Sequence, residues 1–287
     1  MQERLSVVGL GRMGHAMADR LAAEGQQVTG WTRSGGDPEA AKAAGYQLVP
    51  DLAGAVAASD ILILSLYDET AVRSVLGQLS AMDLAGKLVV ETSTVPPAVV
   101  RDCEAAIVAA GGRLIDAPVS GGPEMVIAGT IGLYIGGAEA DTARFAPVAA
   151  HLSSRVVPVG ALGDGVAAKI VNNLALAGAF GATMEALEVG HGLGLDLATM
   201  FAVLKDSPAI TPMVRDRIPM ILGEDDRVGF TVTAALKDVD VFTGAAQAVG
   251  AEVTAYGVTA GAFQAAEAAG LGDKDVAIAI RKRLGLV

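Results

Sequence analysis

A glycine-rich turn near the start of the chain restricts the possible folds more than any other feature. The apolar run Leu5–Val8 leads into Gly9-Leu10-Gly11-Arg12-Met13-Gly14, and a helical pattern begins at once. In a strand-turn-helix unit with this spacing, the first glycine permits the tight turn. The second lets the backbone approach a pyrophosphate, and the third lets helix and strand pack closely. The positive helix N-terminus favours phosphate. We therefore predict that residues 9–14 bind a dinucleotide; the alternative is an ordinary glycine-rich turn.

The end of the next predicted strand indicates which dinucleotide is bound. Sites specific for NAD place an Asp or Glu there for the ribose 2′-hydroxyl. The strand Gln27–Trp31 is instead followed by Thr32-Arg33-Ser34, and no acid occurs before Asp37. An arginine offers a planar fork of donors suited to a phosphate, and a serine adds a hydroxyl. These three residues predict NADP rather than NAD, and a solvated loop arginine is the alternative.

Alternating strand and helix patterns occupy the first half of the chain. Their order is typical of a mainly parallel, doubly wound sheet of the Rossmann type, with helices on both faces. The predicted strands are Leu5–Val8, Gln27–Trp31, Ile61–Leu66, Leu88–Glu91, Arg113–Asp116, Ile131–Ile135 and Val156–Val159.

Helical patterns alone follow after about residue 160, and 287 residues are many for one core. A long helix is predicted from roughly residue 165 to residue 190, and alanine-rich helices run on to Lys282. Breaks are expected at Gly192-Leu193-Gly194, Ser207-Pro208, Pro219 and Gly250. We predict an NADP-binding domain (1–162), a long connecting helix (163–193) and an all-helical C-terminal domain (194–287).

Composition limits the partners and the compartment. The formal charge of −11 disfavours nucleic acids and anionic membranes as partners. The longest uncharged apolar run, Ile170–Met184, is shorter than the ~18 residues of a membrane span. A single cysteine, Cys103, rules out an internal disulfide and is typical of a reducing compartment. With no leader pattern before Leu5, we expect a cytoplasmic protein, and no ligand spacing suggests a metal site.

Polar residues follow several predicted strands, where ligands bind in such sheets. Leu66 and Tyr67 end one strand segment, and Thr94 comes shortly after another, so all three are candidates for the cofactor. Thr94 fits equally well as a helix N-cap before two prolines. Further on, Ser120-Gly121-Gly122 can present consecutive N–H groups to an anion, or can form a simple turn.

One face of the predicted long helix carries an unusual polar group. Lys169, Asn172 and Asn173 are spaced i, i+3 and i+4 among apolar neighbours. A lysine and two amides on a core-facing stripe are costly unless they serve a function. A lysine there can donate to a substrate oxygen or take its proton. The alternative is a solvated surface lysine.

Together these motifs resemble those of the β-hydroxyacid dehydrogenase family, which includes 3-hydroxyisobutyrate dehydrogenases and tartronate semialdehyde reductases. The resemblance rests on residues 9–14, Asp116–Gly122, Gly129-Thr130, Lys169–Asn173 and Lys237-Asp238. It implies an oxidoreductase that interconverts a small 3-hydroxy acid and its semialdehyde, assembled as a homodimer or homotetramer.

The resemblance also implies roles for individual residues. Lys169 would be the catalytic residue and Lys237 would approach both cofactor and substrate. The substrate would be held by Ser120, Gly121, Gly122 and Asn173.

Two departures from the family pattern affect the expected substrate. Met125-Val126-Ile127 stands where the family usually has small residues, and Tyr134 where it favours an aliphatic one. Imine reductases share the architecture but usually replace the lysine, so Lys169 disfavours activity on cyclic imines. A cofactor-binding scaffold without turnover is the other alternative, and the retained lysine, serine and asparagine disfavour it.

Overall fold

A nine-stranded sheet organises the N-terminal part of the chain in the computed structural model, which describes residues 2–287. The chain starts at the middle of the sheet, moves to one edge and then returns to build the other side, in the order β3-β2-β1-β4-β5-β6-β8-β7, with β9 paired to β8. The strands are β1 (Leu5–Val8), β2 (Val28–Trp31), β3 (Gln47–Leu48), β4 (Ile61–Leu64), β5 (Leu88–Glu91), β6 (Arg113–Asp116), β7 (Val119–Ser120), β8 (Gly132–Gly136) and β9 (Arg155–Gly160).

The sheet is parallel from β3 to β6, whereas β8 runs antiparallel to β6 and β7. Successive strands are added toward one edge from β1 to β3 and toward the other edge from β4 onward, so the strand order reverses between the parallel strands β1 and β4. Ligands bind such sheets at this switch point. The predicted doubly wound sheet is therefore confirmed, with an antiparallel addition at one side.

Helices cover both faces of the sheet and create two apolar cores. They are α1 (Arg12–Ala23), α2 (Pro38–Ala43), α3 (Leu52–Ala58), α4 (Glu69–Leu79), α5 (Pro97–Ala109), α6 (Pro123–Ile127) and α7 (Glu139–Leu152). One core includes Met17 of α1 and Phe145 of α7, and the other includes Leu76 of α4 and Ile107 of α5. The inner strands contribute to both cores, which explains why their sequences are apolar without alternation.

The remainder of the described chain is helical. It contains α8 (Asp164–Gly192), α9 (Leu197–Leu204), α10 (Pro212–Asp216), α11 (Ile218–Leu222), α12 (Val232–Ala248), α13 (Thr254–Ala268) and α14 (Ile278–Arg283). One compact unit ends at Lys169 and a second comprises Ile170–Val287, so α8 contributes to both. In the second unit, the rings of Phe180 and Phe263 pack with their centroids 5.9 Å apart.

Helix α8 is the one helix among residues 2–287 whose length and composition would allow it to cross a membrane. Its most apolar 18-residue window has a mean hydropathy of 1.2, and a third of that window is buried inside the protein. Core helices of soluble proteins meet the same criterion, so this is weak evidence for a membrane span.

The structure corrects several details of the sequence prediction. Strands β3 and β7 were not predicted, because two-residue strands are too short to show a periodic pattern. Strand β4 ends at Leu64, two residues earlier than expected. Pro219, predicted as a break, lies in the first turn of α11, where the missing N–H group costs nothing.

Candidate functional site

The turn after β1 brings the start of α1 against β1 and β4. Gly9 has a φ of 99°, and a Cβ atom on it would lie 2.3 Å from the carbonyl oxygen of Ser65. A Cβ atom on Gly14 would lie 1.9 Å from the carbonyl oxygen of Gly9. Both positions therefore require glycine. At Gly11, by contrast, a Cβ atom would have no neighbour within 4 Å among the described residues, so the turn opens onto free space there.

The N-terminus of α1 differs from those of the next three helices. Asp37, Asp51 and Asp68 cap α2, α3 and α4 by accepting backbone N–H groups. Within the described chain, α1 has Gly11 as N-cap, no side-chain cap and no acid in its first turn. A carboxylate at this position would compete with a phosphate for the N–H groups and the dipole. The end of α1 thus fits the pyrophosphate of a dinucleotide, beside the exposed Arg12 and the half-buried Met13.

The loop after β2 forms a turn with Arg33 and Ser34 at its tip. The N–H of Gly35 donates to the carbonyl of Thr32 at 3.1 Å, and both tip residues are exposed. The nearby carboxylate of Asp37 accepts the N–H groups of Glu39 and Ala40 at 2.9 and 3.2 Å. Asp37 Oδ1 is therefore occupied by the first turn of α2.

The ends of β4 and β5 are cross-linked by hydrogen bonds. The N–H of Leu66 donates to Ser93 Oγ at 2.8 Å, and the N–H of Ser93 donates to the buried carboxylate of Glu91 at 2.5 Å. The Leu66 side chain covers the Gly9 turn, whereas Tyr67 is 59% exposed.

Lys169 and Thr94 meet at the C-terminal end of β5. Both side chains are buried, at 6% and 7% relative exposure, and Lys169 Nζ donates to Thr94 Oγ1. Lys169 is therefore not a solvated surface lysine. Thr94 is not the N-cap of α5 either, because Pro96 occupies that position.

Asp116, at the end of β6, fixes the first turn of α8. Its carboxylate is fully buried and accepts the N–H groups of Gly163 and Val166, both at 2.7 Å. Cβ atoms on Gly136 and Gly165 would lie 2.6 and 2.7 Å from the carboxylate oxygens, so the absence of side chains there makes room for it. Burial raises the pKa of Asp116 to about 6, and the two backbone hydrogen bonds oppose that rise.

Asp116 lies in one of the motifs that carry the family resemblance, but no role was predicted for it. The available indication was an acid directly after the apolar run of a buried strand. Through its hydrogen bonds with Gly163 and Val166, Asp116 holds the start of α8, the helix that carries Lys169.

The loop Ser120-Gly121-Gly122 leaves β7 and starts α6. Gly121 has a φ of 137°, and a Cβ atom on it would lie 2.7 Å from Met125 Sδ. Gly122 is the N-cap of α6. Met125, which departs from the family pattern, therefore packs against this loop.

Two of the predicted site residues belong to the second unit. Asn173 Oδ1 accepts a hydrogen bond from Asn172 Nδ2 at 2.9 Å, and both side chains are half-buried. Lys237 of α12 pairs with the buried Asp238 at 3.0 Å between Nζ and Oδ1.

Two family models cover almost the whole chain. The NAD binding domain of 6-phosphogluconate dehydrogenase matches residues 4–160. The NAD-binding domain of NADP-dependent 3-hydroxyisobutyrate dehydrogenase matches residues 163–282.

Individual relatives agree with these models. The chain is 31% identical to 2-(hydroxymethyl)glutarate dehydrogenase from Eubacterium barkeri, over 97% of this chain and 94% of the relative. A structure of Mycobacterium tuberculosis 3-hydroxyisobutyrate dehydrogenase with L-serine is similar at a TM-score of 0.87 and 28% identity, covering 98% and 99% of the two chains. An imine reductase from Myxococcus stipitatus in complex with NADP+ has a TM-score of 0.66 at 22% identity, over 97% and 99% of the chains, and shares the fold.

Proposed function

Because the chain belongs to the β-hydroxyacid dehydrogenase family, we propose that it transfers a hydride between NADP and a small 3-hydroxy acid or its semialdehyde. As a member of this family, the protein is an oxidoreductase of the 3-hydroxyisobutyrate dehydrogenase group with an NAD(P)-binding domain and a small-molecule substrate. The observation that carries the proposal is the buried lysine bonded to Thr94 at the end of the central sheet.

Lys169 is the proposed general acid and base. Bound NADP would supply the hydride acceptor for oxidation of the alcohol, and NADPH would supply the hydride donor for reduction of the aldehyde. The alcohol oxygen must lose a proton in oxidation and gain one in reduction, so a titratable group within hydrogen-bond reach is needed. The hydrogen bond to Thr94 fixes the direction of the Lys169 side chain, and burial reduces competing contacts with water.

The other substrate contacts are proposed from the family resemblance. The N–H groups of Ser120, Gly121 and Gly122 would hold the carboxylate, because a loop of small residues exposes its backbone donors. The amide of Asn173, one helical turn after Lys169 in α8, would hold the substrate as well. Lys237 would approach both cofactor and substrate.

The proposed cofactor preference depends on the turn after β2. Arg33 supplies a permanent positive charge and Ser34 a hydroxyl at an exposed tip, as a 2′-phosphate requires. The first acid of the loop, Asp37, caps α2. Thr32 closes the turn. Contacts with the cofactor are proposed for Leu66, Tyr67 and Thr94, and Thr94 is placed at its nicotinamide end.

We further propose that the protein is a cytoplasmic homodimer or homotetramer. Val171 and Val189 of α8 are 70% and 62% exposed, although they lie on a strongly apolar helix. Exposed apolar positions grouped on one element are typical of association surfaces.

Assays of absorbance at 340 nm test the proposed reaction. The assays use small 3-hydroxy acids with NADP+, and their semialdehydes or cyclic imines with NADPH. Each reaction is repeated with NAD+ or NADH in place of the phosphorylated cofactor. We expect turnover of an acid–semialdehyde pair with NADP. Turnover of cyclic imines without any hydroxy acid would favour the imine reductase alternative, and stoichiometric cofactor binding without turnover would favour the scaffold.

Variants of Lys169 test its role. Lys169→Ala should lower turnover by about 10²–10⁴-fold, the usual contribution of general acid–base catalysis. Lys169→Arg should not restore it, because guanidinium stays protonated. The dissociation constant for NADP should change little. The matched control is Lys42→Ala, which removes an exposed lysine in the last turn of α2. Near-normal turnover of Lys169→Ala would exclude Lys169 as the acid and base.

A further inference from the structure

The phenol of Tyr134 lies beside the loop that we propose holds the substrate. In β8, alternate residues share a face, so Tyr134 is on the same side of the sheet as Gly132 and Gly136. A Cβ atom on Gly136, on this face, would lie 2.6 Å from Asp116 Oδ1 and 2.8 Å from the backbone nitrogen of Gly165 in the first turn of α8. A Cβ atom on Gly165 of α8 would lie 2.6 Å from the carbonyl oxygen of Tyr134. Tyr134 therefore occupies the face against which the helix of Lys169 begins.

Gly132 determines where the hydroxyl of Tyr134 lies. A Cβ atom on Gly132 would be 3.1 Å from Tyr134 Oη and 3.4 Å from the carbonyl oxygen of Ser120. Ser120 and Gly132 are direct partners in the antiparallel β7–β8 pair. The ring thus reaches back over Gly132, and its hydroxyl lies near the backbone of Ser120.

This hydroxyl is available to a ligand. Tyr134 is half-buried, and its hydroxyl makes no hydrogen bond to another residue of the described range 2–287. An apolar group placed against it would remove it from water without giving it a partner, which is unfavourable. A hydroxyl or carboxylate placed there would accept its proton in a hydrogen bond.

We propose that Tyr134 determines specificity by selecting hydroxy acids with a polar substituent next to the carboxylate. This inference rests on the proposed function, because it takes the Ser120-Gly121-Gly122 loop as the carboxylate site. The Tyr134 hydroxyl donates to a hydroxyl or carboxylate on the substituted carbon, and a methyl group at the same place leaves the donor unsatisfied. A site that hydrogen-bonds a substrate hydroxyl strongly rejects an analogue without that hydroxyl. An apolar pocket rejects an analogue with an extra hydroxyl much less strongly.

The test compares two nearly isosteric acids, 2,3-dihydroxypropanoate and 3-hydroxy-2-methylpropanoate, each as both enantiomers. We expect the wild type to prefer the dihydroxy acid in kcat/KM by about tenfold or more. Tyr134→Phe removes only the hydroxyl. It should lower kcat/KM for the dihydroxy acid about tenfold, the value of one hydrogen bond, and leave the methyl acid unchanged or improved.

A second variant and a binding measurement make the result decisive. Gly132→Ala keeps the phenol of Tyr134 but displaces its hydroxyl, so the preference for the dihydroxy acid should decrease, as it does in Tyr134→Phe. Calorimetric binding of both acids to the NADP+ complex of Lys169→Ala reports selectivity without turnover. A binding preference that Tyr134→Phe abolishes supports the role of Tyr134 even where the proposed reaction fails. An equal effect of Tyr134→Phe on both acids in binding, or a wild-type preference for the methyl acid, overturns it.

Discussion

Replacing Asp116 with Asn should change how the stability of the protein depends on pH. Burial raises the pKa of this carboxyl from 3.8 to about 6 in the folded chain. Between these values the folded state binds more protons than the unfolded state, so the free energy of unfolding falls as pH rises. A difference of roughly 2.2 pH units at 1.36 kcal/mol each corresponds to about 3 kcal/mol. The stabilisation is fully present below pH ~4 and is lost by pH ~7.

Urea unfolding of the wild type and Asp116→Asn at pH 4, 5, 6, 7 and 8 measures this contribution. Asparagine does not titrate, and all other titrating groups are common to both proteins, so their difference in unfolding free energy isolates Asp116. Protein concentrations must be equal, because association contributes to apparent stability. The wild type should lose roughly 2–2.5 kcal/mol relative to the variant between pH 4 and pH 7, with almost no further change to pH 8, because at pH 4 the unfolded carboxyl is already partly ionised.

Parallel pH profiles of the two unfolding free energies would refute this reasoning. They would mean that the hydrogen bonds from Gly163 and Val166 lower the pKa of Asp116 by as much as burial raises it. If the wild type instead gained stability relative to the variant as pH rises, these bonds would outweigh burial. Because Asp116 fixes the turn that precedes Lys169, we also expect Asp116→Asn to lower kcat while the dissociation constant for NADP stays nearly constant.

Two further predictions concern the cofactor and the assembly. Arg33→Ala should weaken NADP+ binding by about ten- to a hundredfold in calorimetry and leave NAD+ binding nearly unchanged, since a charged hydrogen bond is worth about 1.5–3 kcal/mol; equal losses for both cofactors would contradict the assignment. Light scattering should report a dimer or larger assembly that Val189→Glu weakens, because a charge at an exposed apolar position of α8 would have to be buried on association. A fully active wild-type monomer would exclude that surface.

The central strands and the glycine-rich turn after β1 could be predicted because their determinants are local. Gly9 and Gly14 are required by contacts within a single strand-turn-helix unit, and the inner strands are marked by continuous apolar runs. The partner of Lys169 could not be predicted, since Thr94 is 75 residues away and the sequence suggested a helix cap instead. The anchoring role of Asp116 likewise depends on N–H groups 47 and 50 residues further along the chain.

The exposed turn after β2 gives the protein a particular evolutionary freedom. Arg33 and Ser34 are exposed, whereas Gly14 in the turn after β1 has no room for an added Cβ atom. Exposed loop substitutions usually change folding stability by less than ~0.5 kcal/mol. A lineage under pressure to draw on a different pool of reducing equivalents can therefore alter this turn one residue at a time, without first acquiring compensating mutations in the core.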